Sequence, residues 1–505
     1  MNRIFRIALA LLLAIVPLAE AASVRHAVFV SDLHVGAGRQ PNGQWTRTED
    51  FRWQDDFNAF LDMAAKRSAN QADLILAGDV FELWQSPTMV CSSDLAKPGC
   101  QIPDCHDADT DIGCSEAEAV ARLETVLDHH ADFIAALKAF AARGENRVII
   151  IPGNHDAALT FPAVRAALLK RFASARVTVA EQGYWYSPDG VIFSDHGHQF
   201  DDLNQFPRWP TPFVERDGKQ YLAKPWGENM VQRFYNQYEA VYPIIDNLAD
   251  EETGVLYAVN QAGFENAKEA VRRFARFFIY EESLRQAVTA LGKRGPVQWD
   301  YAAVRANPVA FFLDVLPAAT RPAADAAVLA PAALTEHEID ALCAAKEKLP
   351  AAGKCQRPAG NLGALAKGAV QTDEQRMVGY LRHVLPRVAG VDVRLADVYV
   401  FGHTHSAVAP HVVGLGEVGH GMARINVVNT GAFQRVASPA QIDAVLRQPA
   451  NAGRRPLDLM PEDLPACYNF VWIEPYAARA AVPRLYRWEK GDAGYAASEG
   501  PCIRN

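Results

Sequence analysis

Residue types that bind divalent metal ions recur along the chain in short motifs. In chain order these motifs are Asp32-Leu33-His34, Gly78-Asp79-Val80-Phe81-Glu82, Gly153-Asn154-His155-Asp156, Asp195-His196-Gly197-His198 and Gly402-His403-Thr404-His405. Carboxylate, imidazole and amide groups are the ligands that such metals prefer. Each motif alone is compatible with an ordinary tight turn built on Gly, Asn or Asp. Taken together and in this order, they predict a metal centre that could activate water.

Each motif follows a short apolar run that is typical of a buried strand. The runs are Ala27-Val28-Phe29-Val30, Leu74-Ile75-Leu76-Ala77, Val148-Ile149-Ile150-Ile151, Val191-Ile192-Phe193 and Val398-Tyr399-Val400-Phe401. Open α/β sheets bind their ligands at the carboxyl ends of parallel strands. The pattern therefore predicts an α/β fold whose strand ends bring the motifs together.

The ordered motifs resemble those of the calcineurin-like metallophosphoesterase superfamily. The segment Asn429-Thr430-Gly431, after the run Ile425-Asn426-Val427-Val428, is also similar to that family. The resemblance implies a four-layer α-β-β-α sandwich and two divalent metal ions, with manganese favoured and iron or zinc as the alternatives.

The resemblance also assigns the metal ligands. One metal is expected to be held by Asp32, His34, Asp79 and His405, and the other by Asp79, Asn154, His196 and His403. Asp79 would then bridge two cations roughly 3.5–4 Å apart. The family pattern places the histidine ligand before the glycine. This favours His196 over His198, which is left as a residue beside the ligands or in contact with substrate.

The remaining polar residues of the motifs are candidates for catalysis. His155 matches the family's non-ligand histidine, which protonates the leaving group or stabilises the phosphoryl oxygens, and Glu82 matches the carboxylate that orients it. Asp156 is a further catalytic candidate. Chemically, a pair of dications would neutralise the phosphate ester and lower the pKa of bound water, so that a metal-bound hydroxide attacks in line. A cationic imidazole would help the alkoxide to leave.

These residues predict a hydrolase that acts on a phosphate mono- or diester. One alternative is a pyrophosphatase for a nucleotide- or lipid-linked substrate, because the segment 79–84 distantly resembles the UDP-diacylglucosamine pyrophosphatase branch. The chain differs from that branch in its Gly-Asn-His-Asp motif and its much longer insertion. A second alternative is a non-catalytic scaffold of the same fold. A scaffold is expected to lose metal ligands, whereas every ligand position is filled here.

The length and net charge of the chain limit the classes of partner that we expect it to bind. The chain has 505 residues, enough for a large α/β core with additions, and a formal net charge of −9. Nucleic-acid-binding proteins usually carry a basic face, so this charge argues against a nucleic-acid partner. The expected partner is a phosphorylated small-molecule or lipid-linked substrate.

The first residues have the pattern of a signal peptide. Arg3 and Arg6 precede the apolar stretch 7–18, and Ala19-Glu20-Ala21 offers a cleavage site, which leaves Ala22 as the expected mature N-terminus. A membrane-spanning helix needs about 20 apolar residues. We therefore expect an exported protein, periplasmic or secreted, with no transmembrane anchor after cleavage. An uncleaved anchor is the alternative interpretation.

Cysteine usage agrees with export. All 8 cysteines lie after the cleavage site, an even number that predicts a disulfide framework. The expected pairs are Cys343–Cys355, which are close neighbours in the sequence, and Cys467–Cys502, which bracket the C-terminal segment. The remaining cysteines, Cys91, Cys100, Cys105 and Cys114, allow three pairings, or a zinc site whose usual C-x₂-C element is absent.

The positions of the motifs suggest the domain organisation. Residues 1–21 are the signal peptide, and 22–199 form the first part of the core, with a cysteine-rich loop at 85–116. Residues 200–390 are predicted to be a helical, cap-like insertion, and 391–505 the second part of the core. Helices are expected around 57–67 and 117–142. Residues 317–363, rich in Ala and Pro, are expected to loop over the surface.

Overall fold

A computed structural model describes most of the segments that carry the motifs. The described residues are 25–85, 112–201, 203–232, 236–239, 244–245, 247–248, 373–385, 396–418, 421–476 and 480–503. The predicted signal peptide, most of the cysteine-rich loop and residues 317–363 lie outside these ranges.

The strands within the described residues follow the apolar runs. They are β1 His26–Val30, β2 Ala72–Ala77, β3 Ile112–Ser115, β4 Arg147–Ile151, β5 Val177–Val179, β6 Tyr184–Tyr186, β7 Ile192–Asp195, β8 Phe213–Arg216, β9 Lys219–Ala223, β10 Val398–Phe401, β11 Val408–Val418, β12 Gly421–Asn429, β13 Cys467–Ile473, β14 Pro483–Gly491 and β15 Gly494–Glu499. Every run that was predicted to precede a motif lies in, or overlaps, one of these strands.

The α-helices that the structure describes lie between the strands and in the insertion. They are α1 Gln54–Arg67, α2 Glu116–His129, α3 Ala131–Ala142, α4 Pro162–Phe172, α5 Trp226–Met230, α6 Asn236–Glu239, α7 Asp373–Gly379 and α8 Pro439–Leu446. A wider helical turn at Tyr380–Val384 continues α7.

The strands form two large sheets and one small sheet. The first sheet has the order β15-β14-β13-β1-β2-β4-β5, and the second has the order β11-β12-β10-β7-β6. In the first sheet β1, β2, β4 and β5 are parallel, and in the second β12, β10 and β7 are parallel. Five of these parallel strands, β1, β2, β4, β7 and β10, carry the metal-ligand motifs at their carboxyl ends. The small sheet, of order β3-β9-β8, is antiparallel.

Both faces of each large sheet are covered, which explains why the strands are apolar without alternation. Phe29 and Ile75 of the first sheet pack in one cluster with Val400 and Val428 of the second. The other face of the first sheet packs on the helices α1–α4. The other face of the second sheet packs on the segment 377–385. The predicted mixed α/β class is confirmed.

The helix predicted around 117–142 is interrupted at His130. This residue ends α2 and precedes α3, with φ −119° and ψ 40°. It is buried, and its Nε2 lies 3.3 Å from Glu49 Oε2, in a loop distant in sequence. A tertiary contact therefore divides a segment whose local composition is helical throughout. α2 itself begins at a capping box in which Ser115 and Glu118 satisfy each other's backbone N–H groups.

The first part of the predicted helical insertion contains strands instead. β8 and β9 form a hairpin, and β9 pairs with β3. The turn is Asp217-Gly218, with φ of +51° and +73°, values typical of a tight hairpin turn with Asp-Gly at its centre. The Asp-Gly pair is a sequence signal for a hairpin, and the prediction of a helical insertion did not take it into account. The helices α5, α6 and α7 also lie within the segment 200–390.

One of the predicted disulfides lies within the described residues and is confirmed. Cys467 and Cys502 are bonded, with a Cα–Cα distance of 5.8 Å, and join β13 to the chain end. Cys114 is also disulfide-bonded. Cys91, Cys100, Cys105, Cys343 and Cys355 lie outside the described residues. Over the described ranges, no helix combines the length and apolar character needed to cross a membrane.

Candidate metal centre

The structure brings all of the predicted metal ligands to one edge of the two sheets. Asp32 and His34 follow β1, Asp79 follows β2, and Asn154 follows β4. The histidines of the second sheet follow β7 and β10. Backbone hydrogen bonds join neighbouring loops: His34 N–H donates to Asp79 O at 3.0 Å, and Gly402 N–H donates to His196 O at 3.0 Å. The loops of each sheet therefore hold one another in place.

Five of the predicted ligands have a left-handed backbone that non-glycine residues rarely adopt. The φ values are 53° for Asp32, 48° for His34, 49° for Asp79, 72° for His403 and 55° for His405. Such conformations cost of order 1–3 kcal/mol each and cluster at functional sites. Their concentration at one edge indicates that the fold positions these side chains at the expense of local stability.

The first predicted ligand set is compact and buried. His34 Nε2 lies 3.2 Å from His405 Nε2, and His405 Nε2 lies 3.5 Å from Asp32 Oδ1. Asp32 is fully buried, and its Oδ1 has no hydrogen-bond partner. A buried carboxylate oxygen is costly to leave unsatisfied. Its position beside two imidazole nitrogens fits a cation better than it fits a hydrogen-bond network.

The second predicted set adjoins the first. His196 Nε2 lies 2.9 Å from Asp79 Oδ2 and 3.0 Å from Asn154 Oδ1. His403 contributes a ring nitrogen to the same group as Asp79 and His196. His196 Nδ1 donates to the carbonyl of Ala77 at 2.9 Å. This bond leaves the lone pair on Nε2, the nitrogen that faces the other ligands.

Asp79 lies between the two sets, as predicted for a bridging ligand. Its Oδ2 is 2.9 Å from His196 Nε2 and 4.0 Å from His34 Nε2. Its Oδ1 accepts from the backbone N–H of His155 at 2.8 Å. Burial alone would raise the pKa of Asp79, but the imidazoles of His196 and His155 hold it well below its usual range.

The donor set fits two divalent cations. Carboxylate, imidazole and amide oxygens converge from both sheets, and the buried Asp32 Oδ1 is without a partner. Gly153 shows how closely the elements approach, because a Cβ at this position would lie 2.2 Å from Asp79 Oδ1. A side chain there would displace the bridging carboxylate. Glycine at position 153 is therefore required by the lack of space for a side chain as well as by the turn.

Glu82 connects the predicted acid His155 to the predicted ligand His34. Its Oε2 lies 2.5 Å from His155 Nδ1 and 2.9 Å from His34 Nδ1. Its Oε1 accepts from the backbone N–H groups of Trp84 and Gln85 at 2.6 Å and 2.9 Å. Burial raises the pKa of Glu82, but His155 and His34 lower it to about 2, so the group is ionised. The sequence predicted the bond to His155 and missed the bond to His34.

The surroundings of His155 favour its cationic form. Burial lowers the pKa of His155, but the carboxylates of Glu82 and Asp79 raise it above its usual value. The indole of Trp84 lies against the imidazole, with ring centroids 3.9 Å apart. An aromatic face stabilises a neighbouring cation. Because Nδ1 is bonded to Glu82, Nε2 is the nitrogen left to act on a substrate.

Asp156 has a different role from the catalytic one predicted for it. Its Oδ2 accepts from the backbone N–H groups of Val80 and Phe81 at 2.9 Å and 3.2 Å. Its Oδ1 accepts from Gly153 N–H at 2.6 Å. Both oxygens are thus occupied by backbone of the Asp79 and Asn154 loops. Asp156 positions these loops relative to each other.

Replacing Asp156 with Ala is expected to lower the free energy of unfolding by roughly 2–5 kcal/mol, because three buried N–H groups lose their acceptor. Chemical denaturation measures this loss. Asp128→Ala is the control, since its carboxylate lies on a helix surface and is 62% exposed. An Asp156→Ala variant with the stability of the parent and no turnover would restore the catalytic interpretation.

His198 is buried, with its ring centroid 5.5 Å from that of the predicted ligand His196, which is the first of the two positions predicted for it. Its ring packs edge-on against Trp209, with centroids 4.4 Å apart, and against Phe206 at 5.8 Å. Burial and the neighbouring His196 and His403 lower its pKa well below its usual value. His198 is therefore a neutral packing residue between the ligand loop and the start of the insertion.

Ser31 and Asp201 support the predicted ligands although the sequence did not identify them, and the Asn429-Thr430-Gly431 segment, identified by its family resemblance, supports them as well. Ser31 donates to Asp32 Oδ2, which orients the carboxylate, and Ser31 Oγ lies 2.6 Å from Thr430 Oγ1. Asn429 Nδ2 donates to Gly402 O at 2.9 Å, so the Asn429-Thr430-Gly431 segment braces the last ligand loop. Asp201 Oδ2 lies 3.0 Å from His403 Nε2. Asp201 lies three residues after the end of the fourth motif, at His198, and this closeness is the signal that could have identified it.

Comparison with known proteins gives one match. The family model described as calcineurin-like phosphoesterase matches residues 26–226. This match supports the predicted superfamily for the segment 26–226. The matched segment includes the motifs from Asp32 to His196 and ends before His403 and His405. No curated protein and no solved structure matches the chain.

Proposed function

We propose that the protein is an exported, metal-dependent hydrolase of phosphate mono- or diesters, built on a four-layer core with a cap-like insertion at 200–390. One observation carries the proposal: Asp79 Oδ2 lies between His34 Nε2, at 4.0 Å, and His196 Nε2, at 2.9 Å. A shared carboxylate between two sets of imidazole ligands is suited to two adjacent cations. The family at large acts on phosphorylated substrates, which supports the same reaction class.

The metal ions, manganese being the favoured pair, would supply positive charge against the phosphoryl oxygens and a water that ionises near neutral pH. Asp32, His34, Asp79 and His405 would hold one ion, and Asp79, Asn154, His196 and His403 the other. The chain's own residues account for the remaining steps. His155 holds a proton, and its Nε2 is directed away from Glu82, so it can protonate the departing alkoxide.

Glu82 keeps the His155 ring in one orientation and maintains its positive charge. The backbone N–H groups of Trp84 and Gln85 hold Glu82 in turn. A general acid fixed in this way loses little entropy when the substrate reacts.

Export is supported by the N-terminal pattern and by the Cys467–Cys502 disulfide, because disulfides persist mainly in oxidising compartments. The insertion is proposed to cap the centre and to select the substrate. Its described part reaches the core beside the site, where Gln85 Nε2 donates to Glu239 Oε2 at 2.6 Å in a buried contact.

The test combines metal analysis with turnover. The purified protein is expected to contain two divalent metals per chain and to hydrolyse p-nitrophenyl phosphate or bis-p-nitrophenyl phosphate. Chelation should abolish turnover, and added Mn²⁺ should restore it, since both the nucleophile and the charge compensation depend on the metals. A nucleoside diphosphate sugar in the same assay tests the pyrophosphatase alternative. Two bound metals with no turnover on any of these substrates would favour the scaffold.

A further inference from the structure

The histidines of the predicted metal centre share a pattern of hydrogen bonding. His196 donates through Nδ1 to the carbonyl of Ala77, at 2.9 Å. His34 Nδ1 lies 2.9 Å from Glu82 Oε2. In each case an oxygen acceptor occupies one ring nitrogen and leaves the other to face the metal ligands. Such partners fix the tautomer and the ring orientation of a metal-binding histidine.

His403 has an equivalent partner in Asp201. Asp201 Oδ2 lies 3.0 Å from His403 Nε2, which leaves Nδ1 as the free ring nitrogen of His403. The His403 side chain is only 8% exposed, so its ring has little contact with water to satisfy Nε2 by other means. His403 also has a strained backbone, with φ 72°, and its N–H donates to Asp32 Oδ2 at 3.1 Å.

Asp201 is itself held firmly. Its Oδ1 accepts from Leu203 N–H at 2.9 Å, and its Oδ2 accepts from Asn204 Nδ2 at 2.7 Å. Asp201 and Leu203 lie at the start of the predicted insertion, and Gly227 N–H at the start of α5, further along the insertion, donates to Leu203 O at 2.9 Å. Asp201 therefore joins the insertion to the second predicted metal set. Among the contacts described, Asp201 is the carboxylate that lies beside His403 Nε2.

We propose that Asp201 is a positioning residue that holds His403 through Nε2 and so sets the affinity of the second metal site. The proposal rests on the proposed function for the existence of that site. Removing Asp201 would free the His403 ring to rotate and would allow either nitrogen to carry the proton. Partners of this kind are worth 10–100-fold in metal affinity. The loop 201–204 would thereby link the insertion to the loading of the metal centre.

The experiment is a titration of the metal-free full-length protein with Mn²⁺, followed by calorimetry. Asp201→Ala is expected to weaken one of two Mn²⁺ sites by about 10–100-fold and to leave the other unchanged. Asp201→Asn should weaken it less, because an amide oxygen can still accept the imidazole N–H. Asn204→Ala, which keeps the carboxylate and removes one of its supports, should also have a smaller effect. Asp217→Asn is the matched control, since Asp217 lies in the exposed turn of the β8–β9 hairpin.

A kinetic measurement separates positioning from other roles. If Asp201 acts through metal occupancy, saturating Mn²⁺ should return the turnover of Asp201→Ala close to that of the parent. Parent-like affinity at both sites in both Asp201 variants would overturn the proposal. Equal weakening of both sites would overturn it as well, since it would indicate a general structural role. A parent protein that binds two Mn²⁺ but hydrolyses no ester would refute the proposed function and leave the affinity comparison intact.

Discussion

Asp79→Asn is expected to reduce turnover by several orders of magnitude and to lower the metal content below two per chain. The substitution neutralises a carboxylate that lies beside both ligand sets, with Oδ2 2.9 Å from His196 Nε2 and 4.0 Å from His34 Nε2. It also places an amide where the backbone N–H of His155 and two imidazoles now meet a negative charge. Elemental analysis and ester turnover, measured on the same preparation, test both effects.

The control for this prediction is Asp62→Asn. It makes the same change of charge on the outer face of α1, where the carboxylate is 64% exposed. It should retain metals and turnover, because exposed ion pairs contribute little. An Asp79→Asn protein that kept two metals and near-normal turnover would remove Asp79 from the bridging position.

His155→Gln is expected to slow turnover by roughly 10²–10⁴-fold, the usual contribution of general acid–base catalysis, while the metal content stays near two per chain. His155 contacts Glu82 and Trp84, and its side chain supplies none of the nitrogens grouped with Asp32 or with His196. Steady-state kinetics and elemental analysis together distinguish chemistry from metal binding.

The leaving group provides an internal control. A p-nitrophenolate leaves without protonation more readily than an alkoxide, so the loss in His155→Gln should be smaller for p-nitrophenyl phosphate than for an alkyl phosphate. An equal loss for both substrates would argue that His155 acts on the phosphoryl oxygens instead. Loss of metal from the variant would show that His155 is a ligand.

The sequence by itself determined the strands of the site and the residues at their ends. Apolar runs of four or more residues, each followed by Asp, Asn or His, identified β1, β2, β4 and β10 and the edge at which they converge. This worked because strand burial on both faces and the position of ligands after strands are local properties of the chain. The disulfide between Cys467 and Cys502, which bracket the C-terminal segment, could likewise be predicted from the sequence.

The tertiary structure decided the roles of the carboxylates. Asp156 and Glu82 are both acidic residues within metal-site motifs, yet Asp156 binds three backbone N–H groups whereas Glu82 joins two imidazoles. His198 lies two positions after the predicted ligand His196, yet its ring packs against Trp209. Partners that lie far away in the sequence determine these differences, and no local pattern encodes them.

The same reason explains the errors in secondary structure and the residues that were missed. At the break in the predicted helix, His130 lies against Glu49, which is distant in sequence, and Ser31 contacts Thr430, 399 residues away in the chain. Asp201 became a candidate only once its carboxylate was found beside His403, 202 residues further along. The chain's local composition selects which groups can bind metal and which segments become strands. The packing of two sheets against each other decides which group meets which, because hydrogen bonds and ion pairs of this kind form only between side chains that the completed fold brings within about 3 Å.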